Sequence, residues 1–182
     1  EKEEVAQAHV RLSDALLSAG FSIDLLPVVD QHFPERLSSY DSQDCVLFNW
    51  CDGIPGLHHS EYLVVRHLEQ LGFVFTGSGS ATLALSYDKH RVKQILDRQS
   101  VPTPHWKLYT SSKANGWHEF PAIVKPAVGH CSEWLTSESV AMNEKELRER
   151  IAYLVDEVGL PALVEDFIDG REFHVSLWGN GR

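Results

Sequence analysis

Methionine occurs once in these 182 residues, at Met142, and cysteine three times, at Cys45, Cys51 and Cys131. The cysteines are odd in number and form no Cys-x-x-Cys pair. That argues against a disulfide framework or a structural zinc site and points to a reducing, cytoplasmic setting. No apolar run approaches the roughly 20 residues that a membrane-spanning helix requires, and no basic-then-apolar leader is expected from residues 1–20. Basic side chains are in short supply: 16 Lys and Arg face 26 Asp and Glu, a formal net charge of −10. Sequence-independent nucleic-acid binding is thereby disfavoured, because phosphate neutralisation needs a surplus of cations on one face. The chain starts at Glu1 and its one methionine is internal, so further N-terminal sequence is expected. What is present is ordinary for a globular protein, with 43% hydrophobic and 23% charged residues. This length accommodates one domain or two small ones.

The periodicity divides the chain near residue 80. Val5, Ala8, Leu12 and Leu16 recur at helical spacing, with Gly20 where a left-handed C-cap belongs. Residues 21–25 alternate as a strand, and residues 34–44 are polar and loop-like with weak helical character. Residues 45–49 form a near-continuous apolar run, as in a strand buried on both faces. After the Gly- and Pro-bearing loop at 52–56, residues 60–71 predict a helix with Ser60 as N-cap and Gly72 as its stop. Residues 73–76 predict a strand, and Gly77-Ser78-Gly79 turns out of it. Helix, strand, strand, helix, strand is the order of a small parallel-sheet, Rossmann-like unit over 1–80.

The remainder, 81–182, reads as α+β. Asp88 caps a helix over 88–99, which Pro102 and Pro104 end. Residues 106–109 predict a strand, 110–119 a polar loop, and 121–126 a buried strand interrupted by Lys125. Asn143 with Glu146 has capping-box spacing, and Leu147, Ile151, Leu154 and Val158 give the helix behind it an apolar stripe. Residues 162–165 and 172–178 read as two further strands.

Several residues could carry chemistry. Gly77-Ser78-Gly79 follows a strand, but Thr82 stands where a dinucleotide fingerprint wants Gly or Ala, and the acidic residue about 20 positions on, Asp97, lies within a helix. No G-x-x-x-x-G-K-[ST] motif occurs, so this turn reads as structural. Lys125 is either a snorkelling lysine on an edge strand or a cation aimed at a phosphate. The loop after it, Gly129-His130-Cys131-Ser132, has the small and hydroxyl residues that present N–H groups to anionic oxygens. Glu165, Asp166, Asp169 and Glu172 form either a charged turn or a set of acceptors for a nucleotide's amino and ribose hydroxyl groups. His58, His59 and His67 lack the placement for a metal shell. Neither Cys51 nor Cys131 has an evident His partner for nucleophilic catalysis.

These signals occur in one order: Thr76-Gly77-Ser78-Gly79, Tyr87-Asp88-Lys89, Val101-Pro102-Thr103-Pro104, Phe120-Pro121-Ala122-Ile123-Val124-Lys125-Pro126, and the run from Leu163-Val164-Glu165-Asp166 through Phe167, Ile168 and Gly170 to Glu172 and Phe173. In that order they resemble D-alanine–D-alanine ligase-type ATP-grasp proteins, from about Asp44 onward and more loosely before it. The resemblance implies an α/β chain: a pre-ATP-grasp domain over 1–80, then an ATP-grasp N-terminal nucleotide-binding subdomain over 81–182. It implies an ATP-dependent carboxylate–amine ligase working through an acyl phosphate, with ATP and Mg²⁺ as cofactors. Lys89 and Lys125 look like the family's phosphate-holding lysines, with Ser132 in the phosphate loop. Glu165 resembles the carboxylate that accepts from the adenine amino group, Phe167 and Ile168 the backbone contacts to the ring, and Glu172 the ribose ligand.

The chain also departs from the family. Trp134, preceded by Glu133, stands where the phosphate loop keeps a glycine, and the His-Gly pair near the first substrate is not recognisable. The corresponding loop, residues 51–56, is more similar to that of broader D-alanine ligase-like enzymes joining other amino acids to carboxylates, including those of mycosporine-type biosynthesis. The family's magnesium-binding carboxylates are expected beyond Arg182, so residues 1–182 alone are expected to catalyse no ligation and no catalytic residue is assigned. The expected partners are small amino-acid or carboxylate substrates, with no nucleic acid, no membrane, and a homodimer left open. A non-catalytic nucleotide-binding or scaffold module of the same ancestry is the alternative.

Overall fold

The computed structural model describes residues 2–113, 115–130, 132–177 and 179. The chain forms two compact units, residues 1–80 and 81–182.

In the first unit, helix α1 (Lys2–Ser18) ends where glycine permits it. Gly20 takes φ +89°, its N–H donates to Leu17 O at 3.0 Å, and the Phe21 N–H donates to Leu16 O at 3.1 Å. These are the paired bonds of a Schellman cap. The five-residue helix α2 (Phe33–Leu37) and helix α3 (Glu61–Gln70) bury Phe33, Leu37, Val64, Val65 and Leu68. Strands β1 (Val46–Leu47) and β2 (Val74–Phe75) pair in parallel, Val46 opposite Val74 and Leu47 opposite Phe75. Ser60 stands at the N-cap position of α3, but its hydroxyl turns back into the preceding loop. It accepts from the Ile54 N–H at 2.7 Å and donates to Leu57 O at 2.6 Å. Gly53 makes this possible: its φ is +130°, and a Cβ there would meet Ser60 Oγ at 2.7 Å.

Two expectations for this unit are corrected. Residues 21–25 form no strand: among the described residues no neighbour pairs with them, and a strand needs a partner for its N–H and C=O groups. They are tied down instead by Tyr40, whose OH donates to Asp24 Oδ2 at 3.2 Å. The apolar run at 45–49 is a two-residue strand with Val46 and Phe48 exposed, not a strand buried on both faces. Among the described residues its sheet has two strands only, too few to cover both faces.

In the second unit the sheet is antiparallel, ordered β3-β6-β4-β5, with β3 Trp106–Tyr109, β4 Ala122–Pro126, β5 Val140–Ala141 and β6 Ala162–Asp166. Alternation assigns the two faces. Ala122, Val124, Ala162 and Val164 pack with Leu147, Ile151 and Leu154 into one core. These last three come from helix α6 (Glu144–Ala152) and the π-helical turn Tyr153–Glu157 that continues it. The other face carries Ile123, Lys125, Leu163 and Glu165. Asn143 caps α6 by accepting from the Lys145 and Glu146 N–H groups, each at 3.1 Å. Glu146 reaches one residue further back than a standard capping box, to the Met142 N–H at 2.7 Å.

Helix α5 (Lys89–Arg98) is capped by the Asp88 carboxylate, which accepts from the Arg91 N–H at 2.9 Å. It lies on the second face of the sheet: Trp106 Nε1 donates to Asp97 Oδ2 at 3.0 Å. Helix α4 (Ser80–Tyr87) was not anticipated; its apolar residues are mixed with Ser and Thr and show no clear stripe. Residues 172–177 form no strand, correcting that expectation, and Trp178 lies outside the described residues. They find no ladder partner, and Phe173, Val175 and Leu177 are exposed. β4 lies between β6 and β5, but β5 pairs only with Ala122 and Ile123, so at Lys125 the ladder runs to β6.

The α6 contact with the sheet supplies most of this unit's core, which sets a clear expectation. Ile151→Ala, at a fully buried position, should cost about 2–5 kcal/mol of unfolding free energy through lost transfer energy and a residual cavity. Asn143→Ala removes only the cap and should cost about 1 kcal/mol. Urea unfolding of both variants measures the ratio, and equal losses would contradict this division of roles.

Candidate functional site

The antiparallel register brings together residues forty apart in sequence. Lys125 on β4 lies opposite Leu163 on β6, and Ile123 lies opposite Glu165. Lys125 and Glu165 are therefore diagonal neighbours on one face, within reach of long side chains. Lys125 Nζ donates to Glu165 Oε2 at 2.8 Å. From α5, Lys93 Nζ stands 3.3 Å from Glu165 Oε1. Glu165 is 5% exposed, so its carboxylate is a buried anion held by two cations. Taking such a charge out of water costs several kcal/mol unless it is paired. Oε1 has no hydrogen-bond partner among the described residues: Lys93 is close enough to attract it but stands off the bonding direction.

Lys89 begins α5 beside this group. Its N–H donates to Ala127 O at 2.9 Å and the Gly129 N–H donates to Tyr87 O at 3.0 Å, which ties the start of the helix to the loop after β4. Lys89 Nζ donates to Gly129 O at 2.6 Å. Burial holds its pKa below the ordinary lysine value, and the neighbouring Lys125 charge lowers it further, against the attraction of Glu133 and Glu165. Two ammonium groups held near each other in a half-buried setting favour an incoming anion.

The other expected residues are placed less closely. Ser132 is exposed with φ +57°, and Cys131 lies outside the described residues. The Phe167 N–H donates to Pro121 O at 3.0 Å, so that amide is engaged within the fold. Ile168 follows it beyond the strand end and is exposed. Glu172 is not brought to this group; its exposed carboxylate stands 3.7 Å from His174 Nε2. The lost strand at 172–177 is the reason, since it was the strand that would have carried Glu172 back.

Two residues escaped the sequence reading. Lys93 sits one helical turn after Lys89, and that i,i+4 spacing was its only signal. Arg150 lies within the apolar stripe of α6, 6% exposed. Its guanidinium covers the Tyr153 ring at 4.6 Å and donates to the Trp134 carbonyl. Trp134 itself has φ +61°, and the Arg150 bond anchors the segment after β4 at this position.

Metal and nucleophile chemistry find less support. Among the described residues, His105, Glu119 and Asp166 bring one ligand atom each within 4.8 Å of one another, but His105 and Glu119 are exposed and already contact each other at 3.1 Å. Burial pushes the Cys51 thiol up, away from the reactive thiolate. No described helix is long and apolar enough to cross a membrane.

No family model matches the chain. It is 32% identical over 136 residues to a protein of Sinorhizobium fredii (strain NBRC 101917 / NGR234) described as Uncharacterized protein y4sG, covering 74% of this chain and 39% of that protein. It is 31% identical over 154 residues to a D-alanine–D-alanine ligase of Synechococcus sp. (strain JA-3-3Ab), covering 81% of this chain and 46% of that protein. Among solved structures, D-alanine–D-alanine ligase from Helicobacter pylori matches with a TM-score of 0.52 and 26% identity, over 69% of this chain and 39% of that one. The chain thus spans less than half the length of these relatives. The shared fold and the sequence kinship make it a D-alanine–D-alanine ligase-like ATP-grasp chain, in which a small parallel sheet precedes an antiparallel one.

Proposed function

We propose that this chain supplies the pre-ATP-grasp domain (1–80) and the nucleotide-binding subdomain (81–182) of an ATP-dependent carboxylate–amine ligase. The observation that carries the reading is the buried Glu165 carboxylate, whose Oε1 lacks a hydrogen bond among the described residues while a lysine stands beside each of its oxygens. A buried acceptor in that state is complementary to a donor such as the adenine amino group. Ile168, just past the strand end, is positioned in sequence to offer its N–H to the ring. Lys89 and Lys125 offset triphosphate charge, and Ser132 belongs to the loop that faces it. Glu172 would reach the ribose only if residues 172–177 rearranged.

In the reaction, a substrate carboxylate oxygen bonds to the γ-phosphorus as the bond to ADP breaks. The amine nitrogen then attacks the acyl carbon, phosphate departs, and the amine loses a proton. The cations lower the cost of bringing an anionic carboxylate to an anionic phosphate. Mg²⁺ would accompany the triphosphate. The His105, Glu119 and Asp166 group contains an imidazole and does not fit the all-oxygen octahedral set that magnesium prefers, so no step is derived through it. The substrates are small amino acids or carboxylates. A second reading, nucleotide binding without ligation, draws on one observation: Arg150 holds the loop at Trp134. ADP release by the full-length protein with ATP and a panel of amino acids separates the two, since binding alone releases none.

Three outcomes follow from this reading. Guanine offers a carbonyl where adenine offers an amino group, and an N–H where adenine offers an acceptor. Unpaired buried polar groups cost about 1–3 kcal/mol each, so competition binding should show at least about a tenfold preference for ATP over GTP. Equal affinities would remove the adenine role of Glu165. Lys125→Ala should weaken ATP binding by at least about tenfold, as a lost charge-assisted bond of about 1.5–3 kcal/mol implies, with a smaller effect on the melting midpoint. An ATP dissociation constant within about twofold of wild type, less than about 0.5 kcal/mol, would contradict the phosphate role. ATP affinity should also fall in alkaline solution below pH 10.5, the ordinary lysine value. The sign follows from the lowered pKa of Lys89, which loses its cation as pH rises through that value. Lys89→Arg should bind ATP with a flatter alkaline profile, because guanidinium stays charged. Matching profiles would show that Lys89 does not meet the phosphates.

A further inference from the structure

The two cations on Glu165 are not equivalent. The Lys93 side chain is 9% exposed and that of Lys125 is 23% exposed. Lys93 Nζ donates to Thr103 Oγ1 and, at 3.4 Å, to Pro104 O, besides standing 3.3 Å from Glu165 Oε1. Three oxygens from two segments therefore surround one buried ammonium. Lys125 is partnered by Glu165 Oε2 and has a more open path to solvent. Thr103 and Pro104 belong to the Val101-Pro102-Thr103-Pro104 run, which the proposed chemistry leaves without a task. Prolines on either side of Thr103 restrict the backbone there and place a hydroxyl and a carbonyl on the same cation.

We propose that Lys93 is a positioning residue that keeps Glu165 paired with a cation and aimed at the base when Lys125 turns to the nucleotide phosphates, with Thr103 and Pro104 as its anchor. The inference rests on the adenine role of Glu165. If Lys125 left an otherwise unaccompanied Glu165, a buried carboxylate would remain without a cation, and such a group is strongly disfavoured. Lys93 removes that penalty because its anchors hold it in place whichever way Lys125 points. Since it attracts Oε1 without forming a hydrogen bond, it supplies charge and leaves the oxygen's lone pairs to the ligand. Without this cation the Oε1 side of the carboxylate loses its charge partner, and the acceptor that distinguishes the adenine amino group from the guanine carbonyl is no longer held in place. Lys93 thus acts on which base is chosen as well as on how tightly it is held.

The test is competition binding of ATP and GTP to the protein and to Lys93→Met, which keeps the apolar stem and deletes the charge, with melting midpoints for each. The ATP-over-GTP ratio of the variant should fall at least about fivefold, the size of a typical lost polar contact. A lysine that only braces the fold would weaken both nucleotides alike and leave the ratio unchanged. Thr103→Val removes one anchor at nearly constant volume; it should lower the ratio in the same direction by about twofold or more, and it decides the matter if Lys93→Met does not fold. A wild-type protein that prefers ATP, with variant ratios unchanged, overturns the Lys93 role alone. A wild-type protein without base preference overturns the adenine role of Glu165, and the Lys93 role with it.

Discussion

The arrangement around the second unit's sheet turns on one constraint: the Glu165 carboxylate is held out of water. Its strand, β6, lies between β3 and β4, and four of its five residues are buried. An anion at such a place is tolerated only with cations in contact, because each buried ion costs several kcal/mol before pairing. β4 provides one cation diagonally across the register and α5 provides the other from the covering layer. The same constraint requires α5 to stay close to the sheet. Removing either lysine exposes the carboxylate to the cost that the other alone must offset.

The two faces of the antiparallel sheet differ in what they carry. One face carries Ala122, Val124, Ala162 and Val164 into a largely apolar core closed by α6. The other carries Lys125 and Glu165, where α5 adds Lys93 and the adjoining start of the helix adds Lys89. Strand alternation lets a single five-residue strand serve both ends, since Val164 and Glu165 point to opposite sides. The Gly129 segment ties the loop after β4 to the start of α5: its carbonyl accepts from Lys89 and its N–H donates to Tyr87 O. Arg150 extends the same tie from the core side to Trp134.

Local signals were legible where a residue type has one strong reason to be where it is. Gly20, Asp88 and Asn143 end or begin helices as their sequences imply, and β3, β4 and β6 fall on the anticipated runs. Pairing was less legible, because a strand needs a neighbour that its own sequence does not describe. Residues 21–25 and 172–177 alternate properly but meet no partner among the described residues, and neither forms a strand. In the site, Lys125 and Glu165 were each identified but as separate ligands of a nucleotide. Their direct contact follows from the register of β4 against β6, which no local pattern contains. Lys93 and Arg150 were missed for a related reason. Both look like solvated helix charges, and only the partners offered by Thr103, Glu165 and Trp134 make their burial possible.

A crystal structure of the protein with a non-hydrolysable ATP analogue tests the central claim most directly. The account predicts a Glu165 carboxylate oxygen at hydrogen-bond distance from the exocyclic amino group, Lys125 Nζ moved onto phosphate oxygen, and Lys93 still bound to Thr103 and Glu165. A nucleotide bound elsewhere, with the 2.8 Å Lys125–Glu165 contact intact, would contradict it.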